Sequence, residues 1–152
     1  MAQIRFYTLN ATGGSGRLRH ACLLTEQAYL AGERVLVWCD DAAQMDQFDQ
    51  LLWTFNDRAF VPHEPLADDP ASADTPPVQL HGGDRLDARI LDAGFSTLIN
   101  LHSAPAAEVL RFDRVIEVID GDPATRDAGR KRFRFYREAG ASPEHVEVPS
   151  HV

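Results

Sequence analysis

Nowhere in the 152 residues does an apolar run approach the ~20 residues of a membrane span, which excludes a transmembrane helix. The opening MAQIRFYTLNATGG has neither the apolar stretch nor the small-residue cleavage pattern of a secretory signal, so the sequence predicts a cytoplasmic protein. Cysteine is scarce: Cys22 and Cys39 lack the paired spacing of a zinc site and read as small buried hydrophobes. The six histidines include no i, i+4 pair and no H-E-x-x-H, and no serine sits in a G-x-S-x-G turn. No metal, no cofactor and no catalytic centre is expected from these patterns. Positive charge is in deficit too, 15 Lys and Arg against 23 Asp and Glu for a net of -8, which argues against the broad basic face of a nucleic-acid binder.

What is present alternates strands with helices over a length that suits one domain, residues 1–152. QIRFYTL is rich in β-formers and leads through NATGGSG into an amphipathic stripe from Arg17 to Ala31, closed by Gly32. RVLVWC is a continuous apolar strand, after which Asp40 or Asp41 caps a second helix reaching about Phe55, with Trp53 off its buried stripe. Residues 62–77 hold five of the nine prolines together with Glu64, Asp68, Asp69 and Asp74, and read as an exposed acidic loop. VQL, TLINLH and RVIEVI are further strands, with a short helical segment near RLDARIL. The fold class is α/β, a three-layer α/β/α sandwich on a mostly parallel, Rossmann-like sheet of about five strands.

Between the first strand and helix, GGSGRL occupies the place of a phosphate loop. It has Arg17-Leu18 where a Walker loop needs Lys and Ser or Thr, and Arg19 where the dinucleotide fingerprint needs a small residue. A tight βα turn is the plainer reading. Asp40 and Asp41 stand where a ribose-binding acid would sit, and helix capping explains them as well. A degenerate nucleotide-binding α/β enzyme therefore stays open.

The scarce positive charge is gathered in one helix, TRDAGRKRFRFYREAG, where six basic residues from Arg126 to Arg137 face one acid, Asp127. Helical periodicity puts Arg126, Arg130, Phe133, Arg134 and Arg137 on one face, and predicts a core stripe of Ala128, Phe135 and Ala139 with Tyr136 at its margin. Arginine favours bidentate contact with carboxylate or phosphate, and Phe133 adds an apolar floor beside it. An acidic peptide with an aromatic end suits that face. Direct binding of single-stranded nucleic acid, with bases stacked on the aromatic, is the competing use, weakened by the single ring and the acidic remainder.

FYTL, AYLAGERVLVWCDD, LLW followed by FVPH, INL and then P, and RVIEVIDGD with R-x-R-F-x-F-Y-R-x-x-G follow one another in an order that resembles the chi subunit family of bacterial DNA polymerase III over nearly the whole chain. The resemblance implies a non-catalytic adaptor of the clamp-loader assembly. Its implied partners are the acidic C-terminal tail of single-stranded DNA-binding protein and the psi subunit. The tail-binding positions it implies here are Ile119, Arg126, Arg130, Phe133 and Gly140, with Phe133 in place of a tyrosine; the psi-facing positions are Trp53, Phe60, Val61 and Pro62.

Overall fold

A computed structural model describes residues 2–149; Ser150 and His151 lie outside the described residues. The chain builds one seven-stranded sheet in the order β3-β4-β2-β5-β6-β1-β7, every neighbouring pair parallel. The strands are β1 (Gln3–Thr8), β2 (Val35–Trp38), β3 (His63–Pro65), β4 (Val78–His81), β5 (Thr97–Asn100), β6 (Arg114–Ile119) and β7 (Glu144–Glu147). The five strands expected from the sequence are β1, β2, β4, β5 and β6. The two additional strands are the sheet's edges. Each pairs on one side only, and most of their side chains are exposed, so neither carries a buried-strand pattern. Pro65 is compatible with β3 because an edge strand has a side that donates to no neighbour.

Helices α1 (Ser15–Leu30) and α2 (Ala42–Thr54) cover one face, where Ala21, Cys22, Phe48 and Leu52 pack on Val35, Val37 and Ile116. The short α3 (Ala88–Leu91), a 3₁₀ turn at Ala107–Arg111 and α4 (Pro123–Glu138) cover the other, where Ile90, Val109 and Tyr136 pack on Phe6, Leu36 and Leu98. These are the expected three layers. Asp41 caps α2 by accepting from the Gln44 N–H at 2.8 Å, and Asp87 caps α3 in the same way from Ile90. Both cysteines are free and buried, and burial pushes each thiol up to about 12, consistent with inert packing.

Residues 62–77 are not wholly the exposed loop expected of them. β3 lies within them, and His63 and Pro70 are buried. The Pro70 carbonyl accepts from Arg34 Nη2 at 2.7 Å and from the buried Gln79 Nε2 at 3.1 Å, which pins the segment to the sheet; Asp68, Asp69 and Asp74 face solvent.

The phase of α4 also differs from expectation. Its buried residues are Gly129, Arg132 and Tyr136, not the stripe of Ala128, Phe135 and Ala139. Glu117 explains the rotation. Its carboxylate is fully buried in β6 and accepts from Arg132 Nε at 3.0 Å, Tyr136 Oη at 2.6 Å and Asn100 Nδ2 at 2.8 Å. A buried carboxylate requires a cation and hydrogen bonds, so α4 turns a charged residue inward where an apolar stripe would place none. Arg132 is consequently not part of the solvent-facing basic patch, and Phe133 sits at the margin of the core, 5.2 Å from the Phe6 ring.

Candidate functional site: a groove between α4 and the sheet edge

Parallel sheets bind ligands outside the carboxyl ends of their strands. Here a groove of about 580 Å³ opens where the ends of β6, β1 and β7 meet the first half of α4. Register builds its floor. Thr8 of β1 stands between Ile119 of β6 and Glu147 of β7, and one step back Phe6 stands beside His145. Thr8 Oγ1 and His145 Nε2 are 2.8 Å apart, tying the edge strand to β1.

α4 supplies the opposite wall with Arg126, Gly129, Arg130 and Phe133. Gly129 allows the helix to lie close: a Cβ there would fall 2.3 Å from Ile119 Cδ1. Arg126 leans back over the strand end and donates from Nε to the Asp120 carbonyl at 3.3 Å. Arg130 is about three-quarters exposed and is 3.6 Å from the equally open Asp127, a contact of little energy in water. Its guanidinium is therefore available to a ligand. A second hollow of about 530 Å³ continues along the helix past Phe133, between Arg134, Arg137 and Glu138.

The structure thus brings Ile119, Arg126, Arg130 and Phe133 into one groove. Gly140 lines neither hollow; at φ +94° it terminates α4 in a left-handed conformation. Thr8, Asn10, His145, Glu147 and Val148 complete the groove and were not anticipated from sequence. They belong to the edge strand β7, its neighbour β1 and the residues that follow each, and the available signal was the alternation of Val146 and Val148 after the Gly140 stop. Chemically, two guanidiniums face an apolar floor of Phe6, Ile119 and Phe133, with Glu147 as the opposing acid.

Of the second set of positions, Trp53 and Phe60 are exposed, 48% and 67%, with ring centroids 5.8 Å apart. His63 lies beneath Trp53 at 4.3 Å and places Nε2 2.9 Å from Asp49 Oδ1. Pro62 is half-buried beside them, whereas the Val61 side chain is fully in the core. Val61 supports that surface from below.

The glycine turn has no free anion cradle at its centre. Gly13 N–H donates to Asp122 Oδ2 at 3.0 Å, so the chain's own carboxylate occupies one of the donors a phosphate would use. Arg17 is buried, giving Nε to the Val118 carbonyl at 2.7 Å. Asp40 accepts from the Ser103 N–H and hydroxyl at 2.8 and 2.9 Å. Each candidate of the nucleotide reading is engaged within the fold. Among the described residues no group of three or more His, Cys, Asp or Glu is placed to hold a metal, and no helix is long and apolar enough to cross a membrane.

Fold and groove together define a parallel α/β protein with an arginine-walled, apolar-floored cleft at its strand ends. The family described as DNA polymerase III chi subunit, HolC, matches residues 1–144, and the chain belongs to that family. The DNA polymerase III subunit chi of Pseudomonas aeruginosa is 39% identical over 149 residues, covering 98% of this chain and 99% of the relative. The subunit of the same name from Escherichia coli K12 is 26% identical over 144 residues, 92% and 94% of the two chains, and that of Haemophilus influenzae Rd is 29% identical over 121 residues, 79% of each.

Proposed function

We propose that this chain is a non-catalytic, cytoplasmic adaptor subunit of the replicative polymerase that grips the acidic C-terminal tail of single-stranded DNA-binding protein and joins it to the clamp loader through psi. The observation that carries the reading is the convergence of Arg126, Arg130, Ile119 and Phe133 on one groove. The tail's last aromatic side chain lies against Ile119 and Phe133, and Arg126 and Arg130 take its terminal carboxylate and nearby acids. The acidic remainder of the surface favours a short acidic peptide over a long polyanion, which would meet repulsion beyond the groove.

Magnitudes agree with a modest binder. One buried aromatic contributes ~1.5–3 kcal/mol and each charge-assisted contact ~1.5–3 kcal/mol. Ordering a flexible tail offsets part of this. Micromolar binding, which needs about -8 kcal/mol, is the affinity expected of such a site. The test is capture of full-length single-stranded DNA-binding protein by this chain, compared with the same protein lacking its last few residues. Retained capture of the truncated form would overturn the tail reading. The psi contact is assigned to the exposed Trp53–Phe60 pair, with Pro62 beside it and Val61 beneath.

A further inference from the structure

A larger groove, about 980 Å³, adjoins the first and shares Asn10, Val148 and Pro149 with it. It lies between the β1–α1 loop, α1 and the turn after α2. Among the described residues its charged lining is Arg19 and Arg58, both exposed, with Asp57 as the one carboxylate, and neither arginine is in an ion pair. The His20 ring is half-buried there, and burial holds its pKa down, so the two arginines carry the positive charge.

We propose that this second groove receives the upstream acidic residues of the peptide whose end is held against α4, with Arg19 and Arg58 facing their carboxylates. The inference rests on the first groove being the peptide site. A terminal carboxylate is the end of its chain, so once it is placed at the arginines of α4, the rest of the peptide leaves either along α4 or across the opposite wall. That wall includes Asn10, Val148 and Pro149, the lip of the second groove. Two arginines against Asp57 give this groove the charge that upstream acids need; the hollow along α4, with Arg134 and Arg137 against Glu138, matches it in charge but has about 530 Å³ against about 980 Å³.

An extended chain advances at most ~3.3–3.6 Å per residue, so a peptide of about four residues fills the first groove and one of about ten enters the second. The experiment titrates two such acidic peptides, both ending in a free phenylalanine carboxylate, against wild type, Arg19→Ala/Arg58→Ala, Arg134→Ala/Arg137→Ala and Arg130→Ala. The expected result is tighter binding of the longer peptide by wild type, and a loss of roughly threefold to tenfold for that peptide alone in Arg19→Ala/Arg58→Ala, the size two exposed ion pairs give. Equal affinity of the two lengths, an unchanged longer peptide in that variant, or equal loss for both lengths would overturn the proposal. So would a length dependence removed instead by Arg134→Ala/Arg137→Ala, which would send the peptide along α4. Arg130→Ala is read separately: binding of both lengths unchanged there would remove the underlying peptide site itself.

Discussion

Replacing Arg132 by Met tests why α4 sits at the phase it does. The methionine keeps most of the aliphatic stem and removes the guanidinium, whose Nε holds Glu117 Oε1 at 3.0 Å and whose Nη1 donates to the Ser103 carbonyl at 2.9 Å. Glu117 retains Tyr136 and Asn100 as neutral donors and loses the one cation in ion-pair contact with it among the described residues, leaving the buried Arg17 guanidinium as a more distant positive charge. Breaking a buried pair from one side costs ~3–5 kcal/mol because the remaining charge is uncompensated. Arg132 Nη2 is buried without a partner, so its removal relieves a penalty, and the expected cost is near the lower end, ~3 kcal/mol. For a chain of this size that lowers Tm by roughly 6–12 °C. Chemical denaturation of wild type, Arg132→Met, Glu117→Gln and the double variant measures the coupling, expected at about 2–3 kcal/mol with the double variant less destabilised than the sum. Additive losses, or a cost for Arg132→Met below about 1 kcal/mol, would refute the idea that the buried pair sets the helix.

Three further outcomes follow from the same structure. Gly129→Ala drives a methyl group into Ile119 and is expected to cost ~1–3 kcal/mol by overpacking while weakening binding of an acidic peptide, read by denaturation and titration on one preparation. Cys22 and Cys39, held from 9.0 up to about 12 by burial, keep the neutral thiol in the folded state, so stability is complete below about pH 9 and falls as pH rises from there toward 12; replacing both with Ala should flatten that limb in thermal melts across the alkaline range. Trp53→Ala removes a half-exposed ring and should change the isolated chain's stability by no more than about 1 kcal/mol while lowering co-purification with psi; undiminished co-purification would move that interface elsewhere.

The inner strands β2 and β5 were readable from the sequence because they are buried on both faces and so appear as near-continuous apolar runs, as in RVLVWC and TLINL, while β1 was readable from its β-formers and alternation. α1 and α2 were readable for the complementary reason, a one-sided stripe with Gly32 or Asp41 at its limit. The edge strands β3 and β7 were not, since short exposed segments such as HEP and EHVE are defined by the partner they pair with. The part of the groove lined by His145, Glu147, Val148 and Pro149 was hidden with β7. The phase of α4 misled for a different reason: periodicity assigns arginine to solvent and treats glycine as neutral, yet Arg132 and Gly129 face the core. The clue was Glu117 inside RVIEVI, a carboxylate in a buried strand that needed a cation. The arginines of the groove itself were legible because the resemblance and the residue chemistry pointed to the same part of one helix.

The central claim is that Arg130, open to solvent on the wall of an apolar-floored groove, grips an acidic chain end. Its most direct test is calorimetric titration of a short acidic peptide ending in a free phenylalanine carboxylate, at low and moderate salt, into wild type, Arg130→Ala and, as a control, Arg111→Ala on the distant 3₁₀ turn. The account predicts micromolar binding that weakens with salt, is lost at least tenfold in Arg130→Ala, and is unchanged in Arg111→Ala. Binding that Arg130→Ala leaves intact, or that both arginine variants weaken alike, would contradict it.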